Sequence, residues 1–115
     1  MSAELYALNE RGWDWEVASW AGPGTPLVLI GDLDLTYHHA VEVTFDSAEF
    51  VSTAASFQEP RFRTATDEEV ARVVGHLDGE TEFLLYAWDV ESAGHTHTFM
   101  AAASSVSVKE GHVLH

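Results

Sequence analysis

The sequence predicts an α+β domain, a mainly antiparallel sheet with one helix, at about residues 66–78, packed on a face of that sheet. Three observations favour this class: segments of alternating apolar and polar residues, turn residues between those segments, and a single helical segment that follows a capping motif. We expect the 115 residues to form one globular domain, because 46% of them are hydrophobic and they include four Trp and six Phe.

The first predicted strand covers residues 13–17, where strict alternation places Asp14 and Glu16 on the face opposite the two tryptophans. Two prolines and two glycines in residues 21–26 then predict a turn. The apolar run at residues 27–30 predicts a short strand that is covered on both faces.

Residues 31–34, with the sequence Gly-Asp-Leu-Asp, predict a second turn. A long strand is predicted at residues 35–45. The Asp-Ser pair at residues 46–47 then predicts a tight turn, and residues 48–55 are expected to return as the partner strand of a hairpin.

The predicted helix begins at Thr66, the first residue of a Thr-Asp-Glu-Glu capping box that ends at Glu69. Val70, Val73, Val74 and Leu77 recur at helical spacing and give the helix a narrow apolar stripe. Two strands are expected to follow, at residues 82–90 and 95–108, with a turn at residues 92–94 between them.

The chain carries 19 acidic and 5 basic residues, a formal net charge of −14 with neutral histidines. Nucleic acids and anionic membrane surfaces are bound through basic patches, so this charge argues against both as partners. It favours a basic partner. The excess acid is greatest in residues 1–60, which hold ten acidic residues and one basic residue, Arg11.

The first functional hypothesis is therefore an acidic protein-binding module, of the inhibitor or immunity type, that masks a basic protein partner. Carboxylates in such a module face a cationic surface of the partner, which makes association fast and sensitive to salt. The acids expected to contact the partner lie on outer strand faces and turns: Asp14, Glu16, Asp32, Asp34, Glu42 and Glu49. Arg61 and Arg63 are expected instead to pair with acidic neighbours within the chain, including Glu59 and Glu68.

A His-Thr-His sequence supports a second hypothesis, a small metal-binding protein or metal-dependent enzyme. His95 and His97 would share one face of a strand, so both imidazoles could bind a single zinc or iron ion. A further ligand would come from a second histidine pair or from a carboxylate across the predicted hairpin: His38, His39, Asp89 or Glu91.

No nucleophile elbow, phosphate-binding loop or calcium-binding loop occurs in the sequence, so no catalytic residue is assigned and a binding function is favoured over an enzyme. A third hypothesis is a structural or oligomerising domain with edge-to-edge pairing of its long strands. The chain has no cysteine, which excludes disulfides and thiolate metal sites. No signal-like or membrane-spanning apolar run occurs, so a cytoplasmic location is expected.

Overall fold

The computed structural model describes residues 3–33, 35, 38–77 and 83–114. Within these ranges the chain is built mostly from antiparallel strands, with two short helices, α1 and α2, and a 3₁₀ turn at Leu8–Glu10. The elements in chain order are α1 (Ala3–Ala7), β1 (Asp14–Ser19), β2 (Thr25–Asp32), β3 (His38–Ala48), β4 (Phe50–Ser52), β5 (Ser56–Gln58), β6 (Arg61–Thr64), α2 (Asp67–His76), β7 (Leu84–Ser92), β8 (His95–Ala103) and β9 (Ser105–Leu114).

Two antiparallel sheets contain these strands, in the orders β5-β1-β2-β3-β9 and β4-β8-β7-β6. Two corners join the sheets. At the first corner, the paired strands β3 and β9 continue into the paired strands β4 and β8 through the single residues Glu49 and Ser104. At the second, β5 pairs with β1, and after Glu59 and Pro60 the chain continues as β6, which pairs with β7. The two sheets therefore pack against each other, with continuous chain joining them at both corners.

Aromatic rings fill the space between the two sheets. Phe45 stacks on Trp88 with their ring centroids 5.8 Å apart, and Trp15 meets Phe62 edge-on at 5.7 Å. The strand alternation predicted around Trp15 is confirmed, since this side chain is 2% exposed. Aliphatic side chains complete the core, and those from α1 and the 3₁₀ turn belong to it: Leu5, Leu8, Leu27, Leu29, Val41, Val43 and Val90.

The hairpin predicted around residues 46–47 is wrong, because both residues belong to β3 and Asp46 still pairs with Ser105 of β9. The predicted strand at residues 95–108 is instead two strands, which the corner at Ser104 places in different sheets. A backbone hydrogen bond holds this corner, with the Ser104 N–H donating to the Asp46 carbonyl at 2.9 Å.

The turn predicted at residues 31–34 is also displaced. Gly31 and Asp32 are the last residues of β2, where they pair with Trp15 and Asp14 of β1. Among the described residues, Leu33 follows the end of the strand and is 73% exposed.

The helix predicted at about residues 66–78 is present as α2, and its capping box at Thr66 and Glu69 is confirmed. The described part of the chain contains a second short helix, α1, which is not predicted from the sequence. The expected packing of α2 across a sheet face is not confirmed. Neither helix in the described part of the chain is long and apolar enough to cross a membrane.

Candidate functional site

An open cleft of about 690 Å³ lies between the β1–β5 edge of one sheet and the β7–β8 hairpin of the other. It lies beside the second corner, where β5 belongs to one sheet and β7 to the other. Thirteen described residues line the cleft: Asp14, Trp15, Glu16, Leu35, Ala54, Ser56, Phe57, Gln58, Val90, Glu91, Ser92, His97 and Phe99.

The alternation of the strands gives the cleft an apolar interior and a polar exterior. In β1, Trp15 points into the core, so its neighbours Asp14 and Glu16 point outward. In β5, Phe57 is buried and the residues on either side of it are exposed. The same alternation in β7 buries Val90, which is 6% exposed, and exposes Glu91.

Along the cleft, the backbone groups of Ser56 and Gln58 have no hydrogen-bond partner among the described residues. The Glu59 N–H donates to the Trp13 carbonyl at 2.9 Å and the Val17 N–H donates to the Ala55 carbonyl at 2.8 Å. Alternate residues of an antiparallel strand bond to the same neighbour, so the backbone groups of the intervening β5 residues point away from β1. No strand in the described part of the chain pairs with that edge of β5.

The facing wall offers a second short edge on β7. Ser92 and His95 flank a two-residue turn whose central residues, Ala93 and Gly94, have φ values of 52° and 78°. Residues that flank such a turn form a hydrogen-bonded pair, so the backbone groups of Glu91 point away from β8. Strand β6 pairs with β7 no further along than Asp89, and within the described ranges no strand pairs with Glu91 on that side.

Three acidic residues, Asp14, Glu16 and Glu91, are among those that line the cleft, and their side chains lie on its outer side, whereas none of its described lining residues is Lys or Arg. None of these three side chains makes a hydrogen bond or ion pair with another described residue. The exposed His97 ring stacks parallel to Phe99, with their centroids 6.5 Å apart. The arrangement favours a cation at the rim and apolar groups against the aromatic floor.

Four of the predicted partner-binding acids, Asp14, Glu16, Asp32 and Glu42, share the outer face of the β5-β1-β2-β3-β9 sheet, because the register pairs Asp14 with Asp32 and pairs Ile30 with both Glu16 and Glu42. Asp14 and Glu16 line the cleft, whereas Asp32 is 6% exposed and its Oδ2 lies 2.7 Å from His38 Nδ1. Asp34 lies outside the described residues. Two others lie away from the cleft lining: Glu42, 3.2 Å from His39 Nε2, and Glu49, at the first corner.

Sequence reasoning did not assign a partner contact to Glu91 or to the β5 edge. Glu91 was considered only as a metal ligand, since its place opposite β5 depends on the second corner. The Glu-Pro pair at residues 59–60 was the local signal for that corner, because a proline limits strand continuation.

The predicted metal ligands His95 and His97 are both exposed on one face of β8, and only His97 lines the cleft. The expectation that Asp89 or Glu91 could join them is wrong. The register pairs Ser92 with His95, which places both carboxylates on the opposite face of the hairpin. In the described ranges, no three His, Cys, Asp or Glu side chains are grouped so that they could hold a metal ion.

A second polar cluster lies outside the cleft and pairs Arg63 internally, with Glu69 and Asp89 and not with the expected Glu59 and Glu68. The Arg63 guanidinium binds Glu69 of α2 and also donates from Nε to Asp89 Oδ2 at 2.7 Å. The hydrogen bonds from Arg63 lower the pKa of Glu69 to about 2, against the opposing effect of burial. The same guanidinium lowers the pKa of Asp89. All three groups are therefore charged at neutral pH and satisfy one another.

Comparison of the chain with family models, with curated proteins and with solved structures finds no significant match.

Proposed function

We propose that this protein is an acidic binding module that holds a basic segment of a protein partner in the cleft between β5 and β7. The observation that carries the proposal is a set of three acidic residues, Asp14, Glu16 and Glu91, at an open cleft whose described lining contains no Lys or Arg; none of their carboxylates pairs with another described residue. A guanidinium or ammonium group at this rim would gain charge-assisted hydrogen bonds without having to displace an internal ion pair.

The net charge of −14 supports the same function at longer range. A strongly negative protein attracts a basic partner before contact, and local carboxylates then fix the position of the encounter. Masking the basic surface of the partner is how an inhibitor or immunity-type protein of this charge would act.

A second candidate surface is the face of the β4-β8-β7-β6 sheet that points away from the Trp88 side chain. It suits a partner less well than the cleft does, because side chains at its centre are already buried. Ala87 and Ala102 point to that face and are both 0% exposed, and Val73 of α2 is 1% exposed. We infer that α2 packs on this face through Val73, with the Arg63–Glu69 ion pair at its first turn. A partner would then meet the helix there and not the sheet.

The test is a calorimetric titration with a capped peptide of six arginines at low and high salt. The cleft variant carries Asp14→Asn, Glu16→Gln and Glu91→Gln. The matched control carries Glu4→Gln, Glu10→Gln and Glu68→Gln, which remove the same charge from exposed acids outside the cleft.

We expect the cleft variant to bind the peptide about tenfold more weakly than the native protein, a loss of about 1.4 kcal/mol, and the control variant to bind within about twofold of it. Equal losses in the two variants would show that only net charge attracts the peptide. That result, or no binding by the native protein, would overturn the proposal.

A further inference from the structure

We propose that the partner segment binds in the cleft as an added β-strand, paired along the free edge of β5, with alternating basic and apolar residues. This inference rests on the proposed function, because it specifies how the same cleft would recognise a basic partner. The occupant is an extended peptide segment with basic side chains on its outward face and apolar side chains on its inward face.

The backbone of β5 supplies the first part of the argument. The N–H and C=O groups of Ser56 and Gln58 point away from β1 into the cleft, and both residues are exposed. An unpaired strand edge is a template for another strand, since each residue pair contributes main-chain hydrogen bonds. On the opposite wall, Glu91 presents a second set of unpaired backbone groups to the same cleft.

The side chains of the walls determine the pattern of the added strand. Its inward residues would meet Phe57, Phe99 and Val90, and its outward residues would lie beside Glu16 and Glu91. Successive residues of a strand point to opposite faces, so one peptide satisfies both surfaces only if basic and apolar residues alternate. A peptide with the same residues in two blocks could satisfy at most one of them.

The length of the free edge limits the segment. Strand β5 has three residues, Ser56–Gln58, and the β7 edge is shorter. At about 3.3 Å per residue this edge is about 10 Å long, so about three residues of the segment pair with it and a pentapeptide extends by one residue beyond each end. The charge of the rim selects a basic segment over an acidic one.

The experiment compares three capped pentapeptides by calorimetry with the native protein. The first alternates arginine and valine, Arg-Val-Arg-Val-Arg. The second contains the same residues as blocks, Arg-Arg-Arg-Val-Val. The third has the alternating sequence with N-methyl groups on both valines and the central arginine, which removes the backbone donors while it keeps every charge.

We expect the alternating peptide to bind about tenfold more tightly than either of the other two, because they lose main-chain pairing or one side-chain face. Equal binding of all three peptides would overturn strand addition and leave the acidic cleft as a general cation site. If none of the three binds, both strand addition and the proposed function fail.

A pair of protein variants tests the β5 edge directly. Gln58→Pro removes an N–H that points into the cleft and not one that bonds to β1, and Gln58→Ala shortens the side chain but keeps the N–H. We expect the proline variant to bind the alternating peptide about tenfold more weakly and the alanine variant within about twofold of the native protein. Equal affinity of the two variants would overturn pairing along β5. If the proline variant fails to fold, the N-methylated peptide decides the question on the native protein.

Discussion

The Arg63 guanidinium binds both carboxylate oxygens of Glu69, donating from Nη1 to Oε1 and from Nη2 to Oε2 at 2.8 Å each. Glu69 is 7% exposed, and its Oε1 also accepts the Thr66 N–H at 2.8 Å. One carboxylate therefore links β6 to α2 and caps the helix. A buried charge with this many partners is costly to leave unpaired.

This ion pair makes the free energy of unfolding depend on pH. Folding lowers the pKa of Glu69 from 4.5 to about 2 and lowers that of Asp89 as well. A carboxyl whose pKa is lower in the folded state stabilises the fold at pH values above its unfolded-state pKa. This stabilisation is lost as the pH falls and the carboxylate is protonated in the folded state. Urea unfolding should therefore show stability falling from about pH 5 to about pH 2.

Glu69→Gln should lower the free energy of unfolding by on the order of 2 kcal/mol at pH 7, and this difference should shrink toward pH 2. Glu68→Gln, at the exposed neighbouring position, is the matched control and should change little. Equal stability of Glu69→Gln and the native protein at pH 7 would contradict the assigned role of the ion pair.

Gly31 allows close contact between β1 and β2. A Cβ at Gly31 would lie 2.6 Å from Cε2 of the Trp15 ring, which is buried and cannot move aside. Gly31→Ala should lower the free energy of unfolding by about 2–3 kcal/mol in denaturant titrations. A Cβ added at Gly75 in α2 would have no neighbouring atom within 4 Å. Gly75→Ala should therefore raise the free energy of unfolding by about 1 kcal/mol. An unchanged stability of Gly31→Ala would contradict the packing described for Trp15.

Gly31 also illustrates what the sequence could predict. Alternation located β1 and the inward face of Trp15, because that signal is local. A glycine between an apolar strand and an aspartate predicts a turn equally well. Only the approach of a tryptophan from the neighbouring strand explains why this glycine belongs inside β2.

The helix α2 depends on its cap at Thr66. The Glu69 N–H donates to Thr66 Oγ1 at 3.1 Å. Thr66→Ala removes this acceptor and should lower the free energy of unfolding by about 1 kcal/mol, whereas Thr66→Ser keeps the hydroxyl and should cost much less. Thermal unfolding of the two variants measures the difference. Identical melting temperatures for both variants would mean that the cap does not stabilise the helix.

The position of α2 is tested by two adjacent valines. Val73 is 1% exposed and Val74 is 38% exposed. Val73→Ala should lower the free energy of unfolding by about 2 kcal/mol, and Val74→Ala by less than about 0.5 kcal/mol. Chemical denaturation of both variants distinguishes a packed helix from one held only by its first turn. Similar small losses in both would contradict the proposal that α2 packs on the sheet face.

The candidate cleft could be predicted only in part. Asp14 and Glu16 were assigned to a binding surface because alternation exposes them. Glu91 joins them through the second corner, where the chain leaves β5, which pairs with β1, and continues after Pro60 as β6, which pairs with β7. Sequence separation between these residues is large, and local patterns carry no information on which strand edges face each other.

Amide chemical-shift mapping of the ¹⁵N-labelled protein during titration with the alternating arginine–valine peptide locates the binding site directly. We expect the largest shifts on residues 14–16, 56–58 and 90–92, and no change in α2. Shifts confined to α2, or spread evenly over exposed acids, would contradict the claim that the cleft between β5 and β7 is the binding site.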